Sequence, residues 1–117
     1  MKKVLIVDDS SFMRIALRKI FETNGYQVVG EAENGKAGVF RFRELRPDVV
    51  TMDVTMPEMD GLEALKEIRR ESPDACVMMV TAMGQENMVK EAIQSGARGF
   101  VVKPIVENVL IKAVGKL

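Results

Sequence analysis

Short runs of apolar residues that do not alternate with polar ones recur along the chain. They lie at residues 4–7 (VLIV), 49–52 (VVTM), 77–80 (VMMV) and 100–102 (FVV). A strand that is buried on both faces needs such a run, because water reaches neither side of it. Val28 and Val29, flanked by Gln27 and Glu31, form a more polar run that is typical of an edge strand. The pattern therefore predicts five strands.

The segments between these runs have helical periodicity. Apolar residues repeat at helical spacing in the first of them, as in the stripe of Met13, Ala16, Leu17, Ile20 and Phe21. The pairs Asn24-Gly25, Ser72-Pro73 and Ser95-Gly96 are typical helix ends and close the first, third and fourth helices. The second helix, over residues 35–46, is the least regular and ends before Pro47. A fifth helix follows the last strand.

The regular alternation of strand and helix predicts an α/β fold. Five strand-helix units fit within residues 1–117, without a linker or a low-complexity stretch, as one domain. Such units form a doubly wound parallel sheet with helices on both faces. Ligands of these sheets bind beyond the carboxyl ends of the strands. The chemistry is therefore expected at that edge.

Composition excludes several classes of function. The chain has 17 Lys plus Arg and 17 Asp plus Glu, so no net charge favours a nucleic acid or a membrane surface as a partner. It contains no histidine, which excludes Ser-His-Asp and Cys-His triads, imidazole metal ligands and a phosphohistidine on this chain. The N-terminal MKKVLIVDD has too short an apolar stretch for a signal peptide or a membrane helix. We expect a cytoplasmic protein.

Carboxylates follow two of the predicted strands. Asp8 and Asp9 come directly after the first, and Asp53 closes the third and enters the loop TMPEMDG. Helix capping by an Asp or by Ser10, and a turn role for Asp53, are the simpler interpretations. Two acids exceed the needs of a cap, however, and crowded carboxylates repel one another unless a cation neutralises them. Oxygen ligands without His or Cys suit Mg²⁺ or Mn²⁺.

Two further polar residues end the fourth and fifth predicted strands. Thr81 ends VMMVT and Lys103 ends FVVK; taken alone, each is an ordinary strand-end hydroxyl or a solvated lysine. Beside Asp53, however, the hydroxyl can bond a phosphoryl oxygen and the ammonium can neutralise developing charge. Pro104 favours a cis peptide that aims Lys103 inward. An aspartate that faces a metal can itself attack phosphorus and form an acyl phosphate.

These motifs resemble one known family. VLIVDD, TMDVTMPEMDGLEAL, VTAMG and FVVKP, in this order and spacing, resemble the receiver domains of two-component response regulators over almost the whole chain. SFMR and TAMGQENMVKEAIQSGARGF resemble, more narrowly, the receivers of bacterial chemotaxis. The resemblance implies the flavodoxin-like strand order 2-1-3-4-5, in which the first and third strands are neighbours at the point where the strand order reverses. Ligands of such sheets bind at this point, and the family is itself a standard example of that placement.

The resemblance also implies a role for each residue of the site. Asp53 would be the phosphoacceptor, and Asp9 would bind Mg²⁺ directly while Asp8 binds it largely through water. The backbone carbonyl of Thr55 would supply another ligand. A protein of this kind is not an enzyme in the usual sense, although it assists its own phosphorylation and dephosphorylation.

A conformational switch is the second implication of the resemblance. Thr81 and Lys103 would contact the phosphoryl oxygens, and Phe100 would be the switch aromatic, at a position where the family often has Tyr. Ile105 stands where many relatives carry Phe, which concerns core packing and not the chemistry. The surface formed by the fourth helix, fifth strand and fifth helix would change with phosphorylation. Partner docking is expected at Val89, Arg98, Phe100 and Val109.

The implied partners are a histidine kinase, the flagellar motor switch and a separate phosphatase, with the protein itself a monomer. A receiver of another relay, in sporulation or transcription, is the first alternative. A haloacid-dehalogenase-type phosphatase uses similar groups, but it needs an acid two residues beyond the nucleophile, where this chain has Thr55, and a capping subdomain. An EF-hand reading of DVTMPEMDGLEA fails because Thr55 and Pro57 stand where oxygen ligands with carboxylate or amide groups belong.

Overall fold

A computed structural model describes residues 2–117. Strands and helices alternate along this part of the chain: β1 (Lys3–Val7), α1 (Ser11–Thr23), β2 (Gln27–Ala32), α2 (Gly35–Leu45), β3 (Val49–Asp53), α3 (Gly61–Glu71), β4 (Val77–Thr81), α4 (Glu86–Gln94), β5 (Gly99–Val102) and α5 (Glu107–Gly115). The strands pair in parallel in the order β2-β1-β3-β4-β5. The predicted α/β fold, strand order and helices are confirmed.

The core lies on both faces of the sheet. Successive residues of a strand point to opposite faces, so Leu5 and Val7 pack in one half of the core while Val4 and Ile6 pack in the other. Helices α2, α3 and α4 cover the first face, and α1 and α5 cover the second. Both faces are therefore dry, which explains why β1, β3 and β4 have continuous apolar sequences.

The edge strand β2 has a different pattern. It runs over Gln27–Ala32, longer than the pair of valines that marked it, and buried residues alternate with more exposed ones. An edge strand in this position needs apolar residues only where it touches the helices and β1, so its sequence signal is weak. The helix ends follow the sequence more closely. Gly25 and Gly96 have positive φ angles of 85° and 106°, beyond the ends of α1 and α4.

The strand register brings the functional edge together. Val7 of β1 lies opposite Met52 of β3, so the residues that follow each of them meet at the same edge. Asp53 lies opposite Val80, one residue before Thr81.

Across residues 2–117 no helix is both long and apolar enough to cross a membrane.

Candidate functional site

Three carboxylates cluster where β1 and β3 end. One oxygen from each of Asp8, Asp9 and Asp53 lies within 4.8 Å of the others. Asp8 is 1% exposed and Asp53 is 6% exposed, whereas Asp9 faces solvent. Because buried like charges repel strongly, this cluster is unfavourable without a nearby positive charge.

The backbone holds Asp8 in a fixed orientation. Its amide donates to the carbonyl of Ala32 at 3.0 Å, and its Oδ1 accepts from the Ser10 amide at 2.9 Å. The cap of α1 is Ser10, whose hydroxyl accepts from the Met13 amide at 3.1 Å. Helix capping is therefore done by Ser10 and leaves Asp8 Oδ2 facing the cluster.

Lys103 supplies positive charge from the end of β5. Its Nζ lies 3.3 Å from Asp8 Oδ2 and 3.5 Å from Asp53 Oδ1. The distance to Asp8 is that of an ion pair, although Oδ2 lacks hydrogen-bond geometry with any group among the described residues. The peptide bond to Pro104 is cis, as expected. The Lys103 ammonium thus contacts two of the three clustered carboxylates.

The protonation of Asp53 reflects this imbalance. Burial raises the pKa of Asp53 from 3.8 to about 6, and the negative charge of Asp8 adds to the increase, whereas Lys103 acts in the opposite direction. Asp9 contributes a smaller increase. The ionised carboxylate is therefore held at a cost in free energy, and an added cation at the cluster would reduce that cost.

The donor set fits a hard divalent cation. All three groups offer carboxylate oxygens, and Asp8 Oδ2 is buried without a hydrogen bond from the described residues. Magnesium and manganese prefer oxygen ligands and are commonly held by one or two carboxylates together with water. These residues can hold such an ion.

The loop after β3 is shaped around Asp53 by a glycine. A Cβ at Gly61 would collide with the carbonyl oxygen of Asp53, and the Gly61 amide donates to the carbonyl of Val54 at 2.8 Å. Asp60 caps α3 by accepting from the Glu63 amide at 2.9 Å. The MDG sequence therefore places the start of α3 directly against the backbone of the candidate nucleophile.

Thr81 is buried, but its hydroxyl is bonded to a residue that the sequence did not single out. Thr81 Oγ1 lies 2.8 Å from Gln85 Oε1, and Gln85 Nε2 donates to Thr55 Oγ1 at 2.7 Å. The bond between Gln85 and Thr55 joins loops 30 residues apart. The sequence held no signal for it, because the contact forms between two loops that are far apart along the chain.

Phe100 lies between two grooves on the side of the sheet beyond β4. It is 48% exposed. The first groove, of about 700 Å³, lies between α4 and β5, and Val89 and Gln85 line it with Phe100. The second is lined by Phe100 and Val109. Arg98 is exposed, outside the residues that line either groove. Three of the four residues expected at a docking face, Val89, Phe100 and Val109, thus line one or both of these grooves.

Comparisons with known proteins agree with this architecture. The family model of the response regulator receiver domain matches residues 4–115. The chain is 50% identical to the chemotaxis protein CheY of Thermotoga maritima over 116 residues, covering 99% of this chain and 97% of that protein. It is 50% identical to CheY of Bacillus subtilis over 114 residues, covering 97% and 95%.

A solved structure extends the likeness to the backbone. In the crystal structure of the CheX-CheY-BeF3-Mg+2 complex from Borrelia burgdorferi, the matching chain is 36% identical and superposes with a TM-score of 0.94, over 98% of this chain and 87% of that one. Fold, motifs and family model all agree. The chain therefore belongs to the response regulator receiver domain family of two-component signalling proteins.

Proposed function

We propose that this protein receives a phosphoryl group on Asp53 from the phosphohistidine of a partner kinase and relays that signal through the α4-β5-α5 face. The observation that carries the proposal is the position of Asp53. Its carboxylate is buried at the carboxyl end of β3, within 3.5 Å of Lys103 and grouped with Asp8 and Asp9. A nucleophile, a cation and ligands for a metal thus converge on one point, as phosphoryl transfer requires.

In the reaction, an oxygen of Asp53 attacks phosphorus in line. The bond from phosphorus to the donor nitrogen breaks, and its electron pair stays on the imidazole, which takes up a proton. Lys103 neutralises charge on the phosphoryl oxygens, and the fixed backbone around Asp8 and Gly61 keeps the acceptor in place. The protein in this way assists its own phosphorylation and the later hydrolysis.

Magnesium, or manganese, is the proposed cofactor. Asp9 and Asp53 would bind it directly, Asp8 largely through water, and the backbone carbonyl of Thr55 would complete the protein ligands. When bound, the ion supplies positive charge that offsets the three carboxylates and the incoming phosphoryl group. The buried, unbonded Oδ2 of Asp8 supports this assignment. So does the relative from Borrelia burgdorferi, whose complex contains BeF3 and Mg.

Thr81 and Phe100 are the proposed switch. The Thr81 hydroxyl is bonded to Gln85, and Phe100 is 48% exposed beside a groove, which fits the unphosphorylated arrangement. A phosphoryl group on Asp53 adds negative charge and strong acceptor oxygens that attract the Thr81 hydroxyl. Phe100 then turns into the space that Thr81 leaves. Docking at Val89, Arg98, Phe100 and Val109 changes as a result.

The expected partners follow from the relatives that carry the name CheY. We propose a histidine kinase as donor and the flagellar motor switch as output. A separate phosphatase would reset the signal, and the CheX-CheY complex supports a dedicated partner at this stage. The protein would act in the cytoplasm as a monomer and one domain, without nucleic acid or membrane. A relay in sporulation or transcription would use the same chemistry with a different output.

Labelling with acetyl phosphate, as a small donor, tests the central claim. With Mg²⁺ present, mass spectrometry should find a single acid-labile phosphate on the parent protein and none on Asp53→Asn. The matched control is Asp74→Asn, which removes an exposed aspartate outside the cluster and should leave labelling unchanged. Equal labelling of Asp53→Asn would refute the assignment. Sustained turnover of an aryl phosphate would instead favour a haloacid-dehalogenase-type phosphatase.

A further inference from the structure

The side chain of Gln85 bridges the two loops that border the site. Its Oε1 lies 2.8 Å from Thr81 Oγ1 and accepts from the Ala82 amide at 2.7 Å. Its Nε2 donates to Thr55 Oγ1 at 2.7 Å. One half-buried amide thus ties the loop after β4 to the loop after β3, on which the candidate nucleophile lies.

Gln85 does not perform the usual structural task of its position. It is the N-cap residue of α4, yet its side chain makes no capping hydrogen bond to that helix. In α1, α2 and α3 the cap side chain does accept from the helix, through Ser10, Asn34 and Asp60. Because Gln is a poor N-cap residue, capping does not explain this side chain. Its three hydrogen bonds point to the site instead.

The Thr81 hydroxyl cannot donate a hydrogen bond to Gln85 and to a phosphoryl oxygen at the same time. A threonine hydroxyl carries one proton, and this one is 2.8 Å from Gln85 Oε1, closer than the 3.2 Å to the alternative acceptor, the carbonyl of Ala82. The hydroxyl must release Gln85 before it can donate to an oxygen on Asp53. Gln85 therefore competes with the phosphoryl group for the same proton.

We propose that Gln85 is a positioning residue that holds Thr81 and Thr55 in the resting arrangement and so opposes the response to phosphorylation. The inference rests on the proposed function of Asp53. Gln85 also lines the groove beside Phe100, so its release changes the groove as Thr81 moves. The amide thereby links the phosphorylation site to the proposed docking face by direct contact.

Removing the amide should favour the activated state. The net value of one neutral hydrogen bond corresponds to about a fivefold change in an equilibrium constant. Gln85→Ala should therefore bind beryllofluoride, a stable mimic of the phosphoryl group, about fivefold more tightly than the parent in the presence of Mg²⁺. The matched control is Gln94→Ala, at the far end of α4 in the same groove, which should bind beryllofluoride as the parent does.

A double-variant cycle separates this role from a purely structural one. In a Thr81→Val background the hydroxyl is absent, so Gln85→Ala should no longer tighten beryllofluoride binding. Urea unfolding without beryllofluoride would report any general loss of stability, which by itself does not tighten binding. Affinity of Gln85→Ala equal to or weaker than that of the parent, or a gain that persists with Thr81→Val, would overturn the inference. Failure of the parent to bind beryllofluoride would instead refute the proposed function of Asp53.

Discussion

Replacing Asp53 by asparagine should stabilise the metal-free protein. Burial and the charge of Asp8 raise the pKa of Asp53 to about 6, despite the opposing effect of Lys103, from 3.8. At pH values between 3.8 and about 6, Asp53 binds more protons in the folded protein than in the unfolded chain. Stability contributed by this group therefore falls as the pH rises from 3.8 towards 6, and the full cost is present above 6. Asparagine keeps the shape of the side chain and removes the charge.

The expected gain follows from the two pKa values. At about 1.4 kcal/mol for each tenfold change in proton affinity, the difference between 3.8 and about 6 corresponds to roughly 3 kcal/mol at neutral pH. At about pH 5 Asp53 is mostly protonated in the folded state, and roughly half of that gain should remain. Lys103 keeps its ion-pair partner Asp8, at 3.3 Å, in the variant.

Urea unfolding in the presence of a chelator measures the effect. The free energy of unfolding of Asp53→Asn should exceed that of the parent at about pH 7.5 and by a smaller margin at about pH 5. Asp74→Asn, at an exposed position, should not differ from the parent at either pH. Excess Mg²⁺ should narrow this difference, because the ion stabilises a native state that binds it and the parent, which keeps the Asp53 carboxylate, binds it more tightly than the variant. A variant no more stable than the parent at neutral pH, or a gap that widens on acidification, would refute the reasoning.

Three further variants test other parts of the site. Lys103→Ala should keep the fold but slow labelling by acetyl phosphate at least about tenfold, because the charge acts on the phosphoryl group; labelling at the parental rate would contradict this. Gly61→Ala should lower the free energy of unfolding by about 1–3 kcal/mol, since its Cβ meets the carbonyl oxygen of Asp53; an unchanged urea midpoint would disprove the close contact. Met83→Glu with Thr55→Asn should shorten the lifetime of the phosphate, because Met83 is 84% exposed and neither native side chain orients water well. Loss of radiolabel no faster than from the parent would exclude water positioning at these two residues.

The sequence by itself determined the elements and the identity of the clustered groups. Apolar runs without alternation marked β1, β3 and β4, because a strand covered on both faces cannot carry polar residues inside. The run FVV also marked β5, but the expected burial on both faces was wrong there, because β5 is an edge strand in which Val101 is buried while Phe100 and Val102 are exposed. Acids directly after such runs must lie at the edge of a parallel sheet. With the strand order that the family resemblance implied, Asp8, Asp9, Asp53 and Lys103 were expected to lie together, as they do.

Other features depended on contacts between distant parts of the chain. Periodicity did not give the strand order, which came from the family resemblance, and it only weakly marked β2, because an edge strand is buried on alternate residues. The need for glycine at Gly61 arises from the backbone of Asp53, which reaches it only in the folded protein. The raised pKa of Asp53 likewise depends on its burial and on the distances to Asp8 and Lys103.

Gln85 marks the limit of what the sequence could decide. Its amide bonds Thr55 across 30 residues, and nothing in the local pattern distinguishes it from Gln94 on the same helix. A hydrogen bond between loops depends on a distance and an angle in three dimensions, and the order of residues along one loop does not determine either of them. Local patterns therefore determined which elements and reactive groups the protein has, whereas the tertiary structure decided which side chain links Thr81 to Thr55, because the contact between Gln85 and Thr55 exists only once both loops are in place.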